Sequence, residues 1–276
     1  MPTSEGRKTA FVTGASRGIG AASAIALGQH GFDVAISART IHEGEGREED
    51  GGTLGIGTPL AGSLETTAAA IQAAGQRALL VPMDLVDREA VDAAARQVLD
   101  TWGVLDVLVN NGIYRGPGHN QPFLDTPMEL IERTVEGDLF SQIVLLKRIV
   151  PAMIDSGGGI VINVTSMVAH MEPPGPIGKS GWGFAYAVAK GGFDRIAGLL
   201  NVEYHDRGIV AYNVEPGFVA YGERLEEMLR RYSNIPVSAP EEVGAAVAWL
   251  ATSPDATRYV NRLIHGPQLC AKLGLL

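Results

Sequence analysis

Short runs of apolar, often β-branched residues alternate along the chain with longer segments whose apolar positions recur at helical spacing, from near residue 8 to about residue 265. Strands are predicted over 8–13, 32–38, 78–83, 104–109, 159–164 and 209–214, with a weaker seventh over 262–265. Helices are predicted between them, over 18–30, 63–74, 87–102, 126–154, 184–207 and 240–251. Several ends carry their own signals. Gly31, Gly103 and Gly208 stand just past helix C-termini, and Asp87 stands at an N-cap. Thr126, Pro127 and Glu129 fall at N-cap, N1 and N3 of the fourth helix. Strands nearly free of charge, each followed by a helix, predict a mostly parallel seven-stranded sheet covered on both faces. Such a doubly wound α/β sheet receives its ligand beyond the C-terminal ends of the strands.

Two segments break the rhythm: a Gly-rich acidic insertion over 41–62 and a Pro/Gly-rich loop over 170–183. Loops of that length in a compact domain tend to be functional or mobile. No repeat and no Pro- or Ser-rich linker divides the chain, so 1–276 reads as one domain.

Composition narrows the classes. Apolar residues make up 46% and charged residues 19%, enough to bury a sizeable core. Lys plus Arg is 22 against 31 Asp plus Glu, a net −9, which lacks the footprint of a nucleic-acid binder and disfavours an anionic membrane surface. Cys270 is the single cysteine, so no intrachain disulfide is available. With no apolar leader and no run of 18 apolar residues, a soluble cytoplasmic protein is expected. No His, Cys or carboxylate cluster has zinc-like spacing, so no metal is expected.

Candidate chemistry gathers at two places. Thr13-Gly14-Ala15-Ser16-Arg17-Gly18-Ile19-Gly20 joins the first strand to the first helix. Glycines there admit a tight turn and close approach of a pyrophosphate, at which the helix N-terminus aims free N–H groups. The spacing is G-x-x-x-G-x-G rather than G-x-G-x-x-G, and an ordinary glycine turn is the competing reading. At the end of the second strand stands Arg39 with no acid beside it, and Arg17 lies in the first turn. Two guanidiniums suit a ribose 2′-phosphate, hence NADP over NAD, unless they are simply solvated. The acidic residues over 43–50 would oppose that phosphate if the insertion folds over the adenosine. Asp84 fits either an adenine contact or a turn cap.

At the other place Tyr186 and Lys190 share a helical face at i, i+4. An ammonium near a phenol favours the phenolate and tunes a proton donor toward neutrality, although such pairs are also common on surfaces. Ser166 follows the fifth strand, where its hydroxyl can hold a substrate oxygen or merely form a turn. Asn110 and Asn111 end the fourth strand.

Taken together, TGASRGIG at 13–20, Asp84, Asn110-Asn111, Ser166, Tyr186-x-x-x-Lys190 and Pro216-Gly217 resemble the short-chain dehydrogenase/reductase family of compact Rossmann-like type. The resemblance implies that Tyr186 is the general acid/base, that Ser166 positions the substrate carbonyl, and that Lys190 binds the nicotinamide ribose and lowers the phenol pKa. It implies a cofactor cradle of Gly14, Ser16, Arg17, Gly18, Ile19, Gly20, Arg39, Asp84, Leu85, Asn111, Gly112, Tyr186, Lys190, Pro216, Gly217 and Val219. It also implies a homotetramer or homodimer, joined through the helices over 126–154 and 184–207.

The departures are specific. Asn110-Asn111-Gly112-Ile113 replaces Asn-Asn-Ala-Gly, and Asp138 stands where the family has a fourth catalytic asparagine. Tyr221 replaces a threonine after Pro216-Gly217, Asn261 and Pro267 replace glycines, and the loop between Ser166 and Tyr186 is long.

The expected function is NADP(H)-dependent interconversion of an alcohol with a ketone or aldehyde. The substrate loops over 167–185 and 218–236 hold Met167, Met171, Trp182, Phe184, Tyr221, Leu225, Met228 and Leu229, which favour an apolar or cyclic small molecule. The same residues could instead pack on one another or on a neighbouring subunit. A nucleotide-binding sensor or scaffold with little turnover is the alternative raised by Asp138. An epimerase or dehydratase would need more chain after Pro216.

Overall fold

A computed structural model describes residues 6–49, 54–117, 121–177, 182–220, 222, 225, 226, 229 and 236–276. Seven strands form one parallel sheet: β1 (Thr9–Thr13), β2 (Asp33–Ala38), β3 (Ala78–Pro82), β4 (Val107–Asn110), β5 (Gly159–Val164), β6 (Ile209–Glu215) and, last in the chain, β9 (Leu263–His265). Their order is β3-β2-β1-β4-β5-β6-β9, so the direction of winding reverses between β1 and β4. A parallel ribbon of β7 (Phe218–Val219) and β8 (Val237–Ser238) lies outside it.

Period-two alternation divides the strands between two cores. Val12, Val34, Ile36 and Val109 face one side, packed with α1 (Gly18–Gln29), α2 (Leu64–Ala73) and α7 (Pro240–Thr252). Phe11, Leu108 and Val161 face the other, packed with α3 (Arg88–Trp102), α5 (Ser141–Asp155) and α6 (Phe184–Tyr204). Each face supplies what a parallel sheet requires, an apolar cover for a strand with no solvent side. Among the described residues no helix is long and apolar enough to cross a membrane.

The expected cap holds at α3, where Asp87 accepts from the Glu89 and Ala90 N–H groups; at α2, Ser63 accepts from the Thr66 N–H and so caps the helix that it was expected to begin. The single helix expected over 126–154 is instead three pieces. The Thr126 hydroxyl donates back to the Pro122 carbonyl and closes a 3-10 turn, Phe123–Asp125. Pro127 then becomes the N-cap of α4 (Met128–Val135). A π-helical turn, Glu136–Phe140, joins α4 to α5. The extra residue of that turn carries Asp138 into the interior. Similarly, the helix expected to reach Arg207 ends at Tyr204 and finishes as a 3-10 turn. A further helix, α8 (Gly266–Leu273), follows β9, its first turn capped by His265.

Candidate active site

A cavity of about 300 Å³ opens at the C-terminal ends of β1, β2, β4 and β5, where the winding reverses. Its floor at one end is the loop after β1. Gly14 has φ +66°, and a Cβ there would lie 2.7 Å from the Gly112 Cα. A Cβ on Gly20 would overlap the Gly14 carbonyl oxygen. The main chain of this loop therefore packs against itself as closely as glycine allows, leaving the helix N-terminus bare toward the cavity. Asn111 braces it, its amide donating to the Thr13 and Gly14 carbonyls at 2.9 and 3.2 Å.

Of the expected cradle, Gly14, Ser16, Arg17, Ile19, Gly20, Arg39, Asp84, Leu85, Asn111, Gly112, Tyr186, Lys190, Pro216 and Val219 line the cavity. Gly18 and Gly217 shape the turns behind it with φ +56° and +71°. Gly217 is held by its N–H donating to the Glu215 carboxylate at 2.9 Å. Asp84 lines the wall and also caps its own turn, accepting from the Val86 N–H. Ser37, at the end of β2, also lines the cavity, and its buried hydroxyl has no hydrogen-bond partner. A bare helix N-terminus, a glycine cradle and the orphaned Ser37 hydroxyl fit a dinucleotide.

The insertion does fold over this end. It forms a hairpin bridged at Arg47 and Pro59, and Glu48 and Glu49 face the cavity. Arg39 pairs with Glu49 at 3.0 Å. Arg17 donates to the Ala61 and Gly62 carbonyls at the end of the insertion, at 2.9 and 2.8 Å, and to the Thr40 hydroxyl at 3.3 Å. The two guanidiniums expected to act side by side are thus held by different parts of one loop.

At the other end, the hydroxyls of Ser166 and Tyr186 are hydrogen-bonded to each other across the long intervening loop. Lys190 is buried, and its ammonium donates to the Val164 carbonyl at 2.9 Å. It lies 6.0 Å from the centre of the Tyr186 ring. Burial pushes the Tyr186 phenol up to about 12, against the Ser166 hydrogen bond, with the negative charge of Asp138 adding to the rise. The lowering of the phenol expected from the Tyr186–Lys190 spacing is not what burial leaves, because desolvation outweighs the Ser166 hydrogen bond and the Arg115 charge that oppose it. Burial also lowers the Lys190 amine to about 8, opposed by Asp138 and Asp194. Asp138 is raised to about 7, again by burial, against Lys190, the Tyr114 N–H and Arg115. One Asp138 oxygen accepts from the Tyr114 N–H at 2.5 Å, and the other is buried without a partner.

Arg115 and Asp194 went unread in the sequence, as did the partners of Asn110. Arg115 lines the cavity and carries its charge toward both Tyr186 and Asp138. Asp194 accepts from Thr165 at 3.0 Å, from Asn213 at 3.0 Å and contacts His170 at 3.1 Å, tying the catalytic helix to the ends of β5 and β6. Its place four residues after Lys190 on one helix face was the available signal. Asn110, Asn163 and Asn213 form an amide ladder across β4, β5 and β6, with contacts of 3.0 and 3.3 Å. Of the expected substrate residues, Tyr221 and Met228 lie outside the described residues.

Comparison with known proteins agrees with this geometry. Residues 48–230 match the short chain dehydrogenase family. The chain is 30% identical to an L-rhamnose 1-dehydrogenase (NAD(P)(+)) of Sphingomonas sp., over 92% of each chain. It is 31% identical to 3beta-hydroxysteroid dehydrogenase 1 of Eggerthella lenta, over 92% of this chain and 89% of that one. Among solved structures, a metagenomic short-chain oxidoreductase in complex with NADP superposes with a TM-score of 0.71 at 27% identity, covering 94% of this chain and 96% of that one. With the sheet order, the glycine cradle and the Ser166–Tyr186–Lys190 cluster already in view, the chain belongs to the short-chain dehydrogenase/reductase family of NAD(P)-dependent oxidoreductases.

Proposed function

We propose that the protein is a cytoplasmic NADP(H)-dependent oxidoreductase that interconverts a ketone or aldehyde with its alcohol, on an apolar or cyclic substrate. The observation that carries this reading is that Tyr186, hydrogen-bonded to Ser166, and buried Lys190 line one end of a cavity whose other end is the glycine loop. The bound nicotinamide supplies the hydride. The remaining work falls to the chain. A phenol pushed up to about 12 stays protonated at neutral pH, so Tyr186 holds a proton ready for a substrate oxygen. Ser166 holds the same oxygen in place, which limits the geometry from which the proton passes. Lys190, its amine lowered to about 8, is charged at neutral pH and favours negative charge on the phenol once its proton has left. Asp138, behind Lys190, takes the place of the family's relay asparagine.

The apolar character of the substrate is supported by exposed side chains on the segments that follow Ser166 and precede Tyr186. Met167, Met171 and Phe184 are all exposed, and Phe184 stacks edge-on to Phe123 at 4.7 Å. A further exposed apolar group on and beside α4 and α6, with Leu124, Met128, Val188 and Val202, supports self-association through those helices. The NADP preference is supported by Arg39 at the end of β2.

The test is NADPH oxidation against a panel of hydrophobic ketones with wild type and Tyr186→Phe. Removing the hydroxyl should lower kcat by about a thousandfold and leave NADPH binding unchanged; near-normal kcat in the variant sinks the mechanism. The second reading, a nucleotide sensor, is favoured by the high phenol pKa and by Asp138. Tight NADPH binding with no turnover on any carbonyl would move the balance to it.

A further inference from the structure

We propose that Glu49 sets the protein's discrimination between NADP(H) and NAD(H), by holding with its carboxylate the guanidinium that a 2′-phosphate would engage. The proposal rests on the reading of Arg39 as the phosphate-binding cation. Arg39 follows β2, its guanidinium donates to the Glu49 carboxylate at 3.0 Å, and both residues line the nucleotide cavity. Ser37, two residues earlier, lines the same cavity with a fully buried hydroxyl that lacks a partner, so the neighbourhood is shaped for a ligand that hydrogen-bonds there.

Two other glutamates of the insertion, Glu43 and Glu45, hold its main chain and side chains rather than the ion pair. Glu43 accepts from the Gly62 N–H and from Thr66. Glu45 accepts from the Ile41 and His42 N–H groups at the start of the insertion. Arg17 is engaged at the insertion's far end through the Ala61 and Gly62 carbonyls. Glu49 alone of these three carboxylates turns to Arg39.

A dianionic phosphate seeking Arg39 meets a like charge already in contact with it, and must displace that charge. A ribose with a free 2′-OH brings no competing charge and leaves the pair intact. Glu49 and Arg39 are 39% and 46% exposed in their side chains, so solvent screens the pair and its effect is a bias rather than a block. The insertion thereby narrows an NADP preference that Arg39 alone would make wide.

Nucleotide affinity tests this without turnover. NADPH and NADH are titrated, by their own fluorescence, into wild type, Glu49→Gln, Arg39→Ala and the double variant. Glu49→Gln keeps the side chain's shape and removes its charge. It should bind NADPH about fivefold more tightly, the scale of a half-exposed ion pair, with NADH changed by less than about twofold, and the gain should vanish when Arg39 is also replaced. If Arg39→Ala weakens NADPH while Glu49→Gln leaves it unchanged or weaker, the proposal falls and the reading of Arg39 stands. Equal tightening of both nucleotides would also overturn it, since a loosened insertion does not discriminate. If Arg39→Ala leaves NADPH affinity untouched, the reading of Arg39 fails and carries the proposal with it.

Discussion

At the glycine-loop end of the cavity the wall is largely main chain, folded so closely that Gly14 touches Gly112 and Gly20 abuts the Gly14 carbonyl; at the Tyr186 end it is side chain, set on α6 and the end of β5 and drawn out of water. The first end works through shape and through N–H groups that a helix start leaves unpaired. The second works through charge and proton affinity, which burial moves by whole pKa units. The two ends should therefore fail in opposite ways. A site made of backbone is injured by added atoms, and a site made of functional groups by removed ones. Half-exposed side chains such as Arg39 and Glu49 edge the main-chain end, where solvent leaves room for tuning.

The largest effect expected from this contrast is at Gly20. Gly20→Ala places a methyl on the Gly14 carbonyl and against the Asn111 amide that braces the loop. Neither neighbour is the free end of a flexible side chain, so the loop must open. NADPH affinity should fall by about a hundredfold or more, with a loss of stability of about 1–3 kcal/mol, measured by fluorescence titration and thermal unfolding. Unchanged affinity would show that the packed loop is not what receives the nucleotide. Ser166→Ala makes the complementary test, because it removes one hydroxyl and adds nothing. It should lower kcat by about a hundredfold while NADPH affinity and melting temperature stay at wild-type values. A comparable loss of nucleotide affinity would mean that the two ends are not separable.

The same contrast explains what could be read in the chain beforehand. Strands and most helices were legible because their periodicity reports burial directly, and Asp87 announced its helix by local hydrogen bonding. Thr126 misled because a hydroxyl followed by proline serves a 3-10 turn as well as an N-cap, and the Pro122 carbonyl lay within its reach. The π turn at Glu136–Phe140 has no sequence period of its own, so the inward position of Asp138 was not visible. The glycine loop could be placed between β1 and α1, since backbone shape follows from glycine spacing. Proton affinities could not. The i, i+4 spacing of Tyr186 and Lys190 gives a neighbour but not the dielectric around it, and here desolvation reversed the expected direction. The Arg39–Glu49 pair joins residues ten apart through a hairpin that no alternating pattern announced.

The finest test falls on the one reaction-end residue that departs from the family in charge. Asp138→Asn keeps an oxygen to accept the Tyr114 N–H and restores the family's residue type. At pH 6 the wild-type carboxyl, raised to about 7, is mainly protonated, and the neutral amide imitates it, so kcat should agree closely between the two enzymes. Above pH 7 the two enzymes diverge. The wild-type carboxyl ionises, and its charge holds the proton on Lys190, whose amine burial has already lowered to about 8. In the variant that support is gone, the amine pKa falls further, and the charged fraction of Lys190 declines at a lower pH. The ionised carboxylate also raises the Tyr186 phenol, but it ranks behind the Ser166 hydrogen bond there, whereas it is the leading charge acting on Lys190. The alkaline limb of kcat/KM should accordingly move to lower pH in Asp138→Asn, by less than about one unit. Superimposable profiles from pH 6 to 9 would reduce Asp138 to a packing group, and the proton inventory of the site would close on Ser166, Tyr186 and Lys190 alone.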